Sequence, residues 1–349
     1  MRGRTAAPSV RSQAPLLATA RAVSPAVWGA LAIVYVVWGS TYLAIREAIR
    51  TIPPFLMAST RFLVAGGFLY LVAVRRGDRE ADRPGAAQWR AAAIVGGLLL
   101  LGGNGGVVWA EQHIPSGTTA LLVATVPLWM VVIGRVAFRE RVRPQEMLGV
   151  LIGFGGVALL VVGSGTRSGR LNMAGVAAAL VAPVSWALGS LYSRRAELPS
   201  RPLVSTAMQM LAGGVLLGIA GLVTGEVADV DPSRISLGSV VGLVYLIALG
   251  SLVAFSAYVW LLRNAPISLV GTYAYVNPVV AVFLGWAFLD EVIWGTTLLA
   301  GAVIVVAVAL IVTAHRPAPA PPASGRVRAN EKGPGELART EPSTSSDAV

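Results

Sequence analysis

Between Val27 and Thr313 the chain is a succession of apolar runs, with its charged residues gathered in short clusters between them. Each run is roughly 20 residues long, which as a helix covers about 30 Å, the thickness of the hydrocarbon core of a bilayer. Hydrocarbon offers a backbone amide no partner, so a spanning run of this length must satisfy its own hydrogen bonds as an α-helix. Only 13% of residues are charged and 55% are hydrophobic, against about 25% charged in soluble domains. A chain this poor in charge, with a mean hydropathy of +0.69, cannot cover a water-facing surface. The expected class is an all-α integral membrane protein.

Ten segments can be drawn: Val27–Ile45, Phe55–Val74, Ala91–Val108, Gly117–Phe138, Met147–Gly163, Met173–Ser193, Ser205–Thr224, Leu237–Leu262, Ser268–Leu289 and Ile293–Thr313. The connections are short and leave no room for an inserted soluble domain. Residues 1–26, rich in Arg, Ala and Ser, and residues 316–349, rich in Pro, Ala and Ser, lack the apolar content to pack and are expected to be disordered. No apolar run precedes Val27, so a cleavable signal peptide is not expected.

The formal net charge is +11. Its distribution points to lipid rather than nucleic acid. With the N-terminus inside, the outer loops hold five basic residues: Arg46, Arg50, Arg167, Arg170 and Arg234. Arg61 lies within a segment, and the remaining 22 of the 28 Lys and Arg fall in inner loops and tails. This bias places both termini in the cytoplasm and sets the basic surplus against anionic headgroups. There is no cysteine, so disulfides, thiolate metal sites and cysteine nucleophiles are excluded.

The segments repeat. TVPLWMVVIGRVAFRE (125–140) and VNPVVAVFLGWAFLDE (276–291) align at an offset of 151, with Pro127 over Pro278, Gly134 over Gly285 and Glu140 over Glu291. Pro115 and Trp109 match Pro266 and Trp260. Gly39-Ser40-Thr41-Tyr42 is similar to Gly189-Ser190-Leu191-Tyr192, and Ala65-Gly66-Gly67 to Ala212-Gly213-Gly214. Five is odd, so a duplicated five-helix unit must enter the membrane from the opposite side. The end of the fourth segment, RERVR, is then inside and the end of the ninth, DEV, outside, which accounts for their opposite charge. The expected architecture is ten transmembrane helices in two inverted repeats, 27–163 and 173–313, with a solute site near the midplane between them.

WGSTYLAIR, STRFLVAGG, WAEQHIPSGTTALLVATVPLW and TYAYVNPVVAVFLGW resemble the EamA family of the drug/metabolite transporter superfamily, over about residues 27–313. The resemblance implies a ten-helix bundle of two EamA domains that exports small metabolites or drugs. It does not name the solute.

Arg61 is the sharpest single feature, a basic residue about 10 Å from the end of its segment. A central arginine costs about 2.5–3.5 kcal/mol on insertion scales, so it requires a partner or a wet cavity. It either holds an anionic group of the solute or pairs with an acid at the outer rim, for which Glu111 is the natural choice. Glu111 and Asn104 are seven residues apart and share a face if their helix persists. Glu111 is read either as a proton relay or as a solvated loop carboxylate. Asn277 precedes Pro278, which frees a carbonyl, and Tyr273 is one turn earlier; they are read as a polar lining at a bend or as structural. Trp38, Ser40 and Tyr42 on the first segment, with Trp186, Ser190 and Tyr192 on the sixth, suit an amphipathic organic solute or an interfacial belt. Glycine pairs such as Gly102/Gly106 and Gly214/Gly218 are read as close packing.

His113 and His315 are too far apart to pair as metal ligands in an HExxH array, and the Gly163-Ser164-Gly165 turn has no base beside it. No phosphate-binding loop occurs. No enzyme activity, cofactor or metal is expected. The reading is a secondary transporter in the cytoplasmic membrane that exports a small organic solute by alternating access. The alternatives are an uncoupled facilitator and a non-transporting scaffold or sensor that works through its tails. Coupling to protons, if present, runs through Glu111 or Glu291. Oligomeric state stays open.

Overall fold

In the computed structural model, residues 24–76, 84–137, 139, 143–164, 172–265 and 267–314 are described. Nearly all of both expected tails, and His315, lie outside the described residues. What is described is helical, with no strand. We number the segments α1 Pro25–Ala48, α2 Pro54–Arg76, α3 Ala86–Ala110, α4 Ser116–Ala137, α5 Pro144–Ser164, α6 Met173–Ser193, α7 Pro202–Val223, α8 Leu237–Asn264, α9 Tyr273–Leu289 and α10 Gly295–Ala314. Among the described residues seven of these, α1–α4 and α6–α8, are long and apolar enough to cross a membrane, and α5, α9 and α10 contain shorter apolar stretches. Large apolar side chains face outward all around the bundle, among them Val36, Phe68, Leu151, Leu222 and Phe283. That surface is insoluble in water and suited to acyl chains. The chain is a multi-pass membrane protein.

Helix starts follow local chemistry. Ser24 caps α1 with Pro25 at the first position, Asn172 accepts from Ala174 N and Gly175 N at the start of α6, and Ser236 caps α8. These side-chain oxygens satisfy amides that a helix leaves unpaired. Proline explains one interruption. Pro127 has no N–H and its ring clashes with the carbonyl four residues back, so α4 breaks into Ser116–Val123 and Val126–Ala137. The Thr125 hydroxyl donates to Leu122 O at 2.7 Å, taking up a carbonyl at the break. Pro278 behaves otherwise. It sits within continuous α9, and the turn lies earlier, between the short helix Ile267–Val270 and Tyr273. The ninth segment was expected to run unbroken from Ser268.

Three helices carry wider π-turns: Val34–Trp38 in α1, Gly97–Gly105 in α3 and Leu246–Phe255 in α8. Those of α3 and α8 fall at corresponding places under the 151-residue offset, as do the starts of α3 and α8 (Ala86, Leu237) and of α5 and α10 (Pro144, Gly295). Arg139 and Asp290, again 151 apart, are the non-glycine residues with positive φ among those described, at 55° and 54°. The broadest helix contacts join α2 to α7 and α5 to α10, pairs that the offset makes equivalent. Small residues permit these approaches. A Cβ on Gly96 would meet Gln209 O at 2.5 Å, so α3 and α7 cross backbone to backbone there.

Candidate functional site

Seven helices, α1–α4, α6, α8 and α9, line a central cavity with about 600 Å³ of empty space, open solvent at its mouth included. Its aromatic wall is organised on Trp38. The Trp38 ring meets Trp186 and Tyr273 edge-on, each at 5.5 Å between centroids, and Tyr258 at 4.9 Å. Such geometries align positive ring edges with negative faces. The polar tips are all engaged. Trp38 Nε1 donates to Gly250 O at 3.3 Å, and Trp186 Nε1 donates to the Tyr258 hydroxyl at 3.0 Å. The Ser190 hydroxyl donates to Trp186 O, so the 2.9 Å contact with Tyr258 has the tyrosine as donor. The rings are therefore fixed and present faces and edges to the cavity.

Arg61 enters this apolar space from α2 and is 3% exposed. Its Nε donates to Ser251 Oγ at 2.8 Å, and its Nη1 reaches Asn104 Oδ1 at 3.5 Å. Gly250 makes the room: a Cβ there would lie 2.9 Å from Nη2. Among the described residues no carboxylate lies within ion-pair distance of the guanidinium. The Glu111 partner considered from the sequence is not engaged. Its Cζ also lies 4.6 Å from the centroid of the Phe62 ring, and a buried cation held by neutral oxygens and a ring face is an unbalanced charge, costly until an anion arrives.

Of the other residues named from the sequence, Tyr42, Asn104, Trp186, Tyr273 and Asn277 also line the cavity with Trp38 and Arg61. Asn277, with its amide oriented to its partners, donates to Tyr273 O and Tyr35 O, each at 3.2 Å. That bond ties α9 to α1. Ser40, Tyr192 and Glu111 do not line the cavity. Ser40 Oγ donates to Val36 O and Val37 O and meets the Tyr245 hydroxyl at 2.5 Å, on another face of α1. Tyr192 packs half-buried against the core, near the end of α6. Glu111 caps α3 and is fully buried, not solvated. Glu111 sits past Ala110, the last residue of α3, so the seven-residue spacing from Asn104 does not bring it to the cavity wall.

Sequence reasoning missed Thr41, Ser251 and Phe255, which line or anchor the site, and Tyr258, the hub of the aromatic cluster. Phe255 is the counterpart of Asn104 at the 151-residue offset and was findable by that rule. Ser251 had no local signal. Glu291, named as a coupling alternative, serves the backbone: Oε1 accepts from Ser116 N and Ser116 Oγ, both at 2.8 Å, and Oε2 from Gly117 N at 3.2 Å. It supplies the cap that Pro115 cannot give to α4. No group of His, Asp or Glu that could hold a metal occurs among the described residues.

A family model described as the EamA-like transporter family matches residues 26–162 and 173–313. The chain is 41% identical over 297 residues to an uncharacterized inner membrane transporter, YedA, of Escherichia coli K12, covering 85% of this chain and 94% of that one. It is 27% identical to the uncharacterized transporter YvbV of Bacillus subtilis (79% and 88% covered) and 27% identical to protein PecM of Dickeya dadantii (79% and 88%). A solved crystal structure matches with a TM-score of 0.58 at 23% identity, over 82% of this chain and 94% of that one, a likeness of fold.

Proposed function

Since the chain belongs to the EamA-like transporter family, and is therefore a transporter, we propose that it is a secondary carrier whose cargo is a small organic solute bearing an acidic group and an apolar, preferably aromatic, body. The observation that carries this is Arg61: a buried guanidinium without a carboxylate partner among the described residues, at the wall of a cavity lined by Trp38, Trp186 and Tyr273. Arginine offers a carboxylate a planar donor fork, and the low dielectric strengthens that pairing. The rings supply stacking area without a further charge.

The scaffold we infer is ten crossings in two inverted repeats, residues 27–163 and 173–313, both termini cytoplasmic. Three features support it: the basic inner loops, the corresponding π-turns, and the paired left-handed residues at 139 and 290. Because helices from both halves wall the cavity, relative movement of the halves would open it to each side in turn. Export is the direction we favour, by family likeness.

Benzoate tests the solute class. Purified protein in lipid nanodiscs is unfolded thermally with benzoate or with benzamide, its neutral analogue. Benzoate at 100 times its dissociation constant should stabilise the fold by about 2.7 kcal/mol, benzamide should not, and Arg61→Gln should abolish the benzoate effect. Saturable flux of labelled benzoate in proteoliposomes then separates a carrier from a membrane scaffold. Equal stabilisation by both compounds, or benzoate stabilisation that survives Arg61→Gln, overturns the assignment.

A further inference from the structure

Glu111 is left over once the cavity has been described. It lies one residue beyond α3, 0% exposed, and neither carboxylate oxygen has a hydrogen-bond partner among the described residues. Its own backbone carbonyl, not its carboxylate, takes the donation from Arg46 Nη1. The charged and titratable groups that act on it are Arg46 and Tyr42 of α1 and Glu291 after α9. On its own turn His113 is occupied with Trp109, stacked at 4.2 Å and in contact with Trp109 O. The helices packed on this end of α3 add little: α6 and the first part of α4 contain no Asp, Glu, Lys, Arg or His, and the Arg61 of α2 is turned to Ser251 and Asn104. A carboxylate so enclosed, with no donor, is far costlier to keep ionised than protonated. Burial accordingly raises its pKa well above the ordinary carboxyl range; Arg46 pulls it down and Glu291 adds to the rise.

Its position is the second observation. On one side is the central cavity, whose wall includes Tyr42 and Val107. On the other a surface cleft is lined by Arg46, Gln112, Asp290 and Glu291. The three bonds to Glu291 from the first turn of α4 tie the α9–α10 connection to Ser116 and Gly117, five and six residues after Glu111.

We propose that Glu111 is an exchangeable proton site set between the cavity and this cleft, and that the Glu291–α4 contact seals it from water. With the contact made, Glu111 holds its proton. When Glu291 leaves Ser116 and Gly117, water and the Arg46 guanidinium reach the carboxyl, and the proton can depart. Each opening at this end of the bundle thereby includes a deprotonation step, reversed on closing. The inference rests on the carrier reading for the use made of the proton, and on geometry for its place.

Infrared spectroscopy of the protein in nanodiscs, with glutamate labelled with ¹³C, tests it. A protonated carboxyl band carrying the label shift should be present at neutral pH and vanish as the pH is raised. It should be absent from Glu111→Gln, and in Glu291→Gln it should vanish at a lower pH than in the native chain, since a neighbour that raises the titration is gone and the seal is open. In heavy water its exchange should be at least about tenfold faster in Glu291→Gln than in the native chain, the factor for loss of a single charge-assisted bond. A neutral-pH spectrum with no labelled acid band overturns the site, and this reading needs no variant. A labelled band that persists in Glu111→Gln also overturns it, and equal exchange rates overturn the seal. None of these measurements involves a solute, so their failure leaves the carrier reading intact, and failure of the benzoate test leaves this site intact.

Discussion

At the scale of single residues, Gly250 decides how Arg61 can lie. Its hydrogen leaves space for Nη2, while its carbonyl takes the Trp38 indole N–H. Alanine there would place a Cβ 2.9 Å from Nη2. What must move most is the far end of a flexible side chain, with Thr41 Cγ2 at 3.3 Å giving slightly, so the fold should tolerate the change while the guanidinium shifts off Ser251. Gly250→Ala is expected to alter the melting temperature little, by under about 1 kcal/mol of stability, and to weaken benzoate binding about tenfold, the equivalent of one displaced charge-assisted bond. Melting curves with and without benzoate read both effects. A large loss of stability together with unchanged affinity would mean that Gly250 serves packing alone. Arg61 could be found from sequence because a lone arginine in an apolar run is costly wherever it points. Ser251 and Tyr258 could not. Their partners lie 190 and 72 residues away, and a serine or tyrosine in a membrane helix is ordinary until the fold brings a buried donor to it. Ser40 and Tyr192 misled for the complementary reason: residue type was right, but helical phase turned them elsewhere.

Among the elements, the ends of α4 and α9 show how a duplicated helix keeps its geometry while its charge changes. Both chains turn out through a left-handed residue, Arg139 in one and Asp290 in the other. After Asp290 the backbone N–H of Glu291 returns to Gly285 O at 3.2 Å, and the Glu291 side chain continues to α4. Left-handed φ costs a residue with a Cβ some energy that glycine avoids. Asp290 is exposed, its backbone N–H bonds to Gly285 O in a way glycine would keep, and its side chain has no hydrogen bond among those described, so Asp290→Gly should stabilise the fold by up to about 1 kcal/mol. Asp290→Val, with a branched Cβ in the same conformation, should destabilise it. Thermal unfolding of the two variants checks the sign, and a valine at least as stable as the glycine would refute the strain argument. The repeat itself was legible, because Pro, Gly and Trp recur at fixed spacing. The π-turns were not: GLLLLGGNG and LIALGSLVAF are apolar throughout, and a uniformly apolar run carries no record of whether its turns are α or π.

For the whole molecule, the open question is which way each half faces, and it can be settled with one residue at a time. Composition gave membrane character, since no arrangement of so few charges could clothe this surface in water. The inner and outer faces were assigned from arginine counts, and much of the loop charge behind that assignment lies outside the described residues. Inversion makes a sharper demand than any count. Arg139 and Asp290 are equivalent in sequence and share a backbone conformation, so if the halves are antiparallel these two matched residues must lie on opposite sides of the bilayer. The native chain has no cysteine, so a single introduced thiol is the sole target for a maleimide. In intact cells a membrane-impermeant maleimide should label Asp290→Cys and spare Arg139→Cys, which should react only after the membrane is opened. Labelling of both from the same side would require an even number of crossings between them, incompatible with five-helix halves of opposite sense, and the central cavity would then lose the symmetry that lets it open alternately to either face.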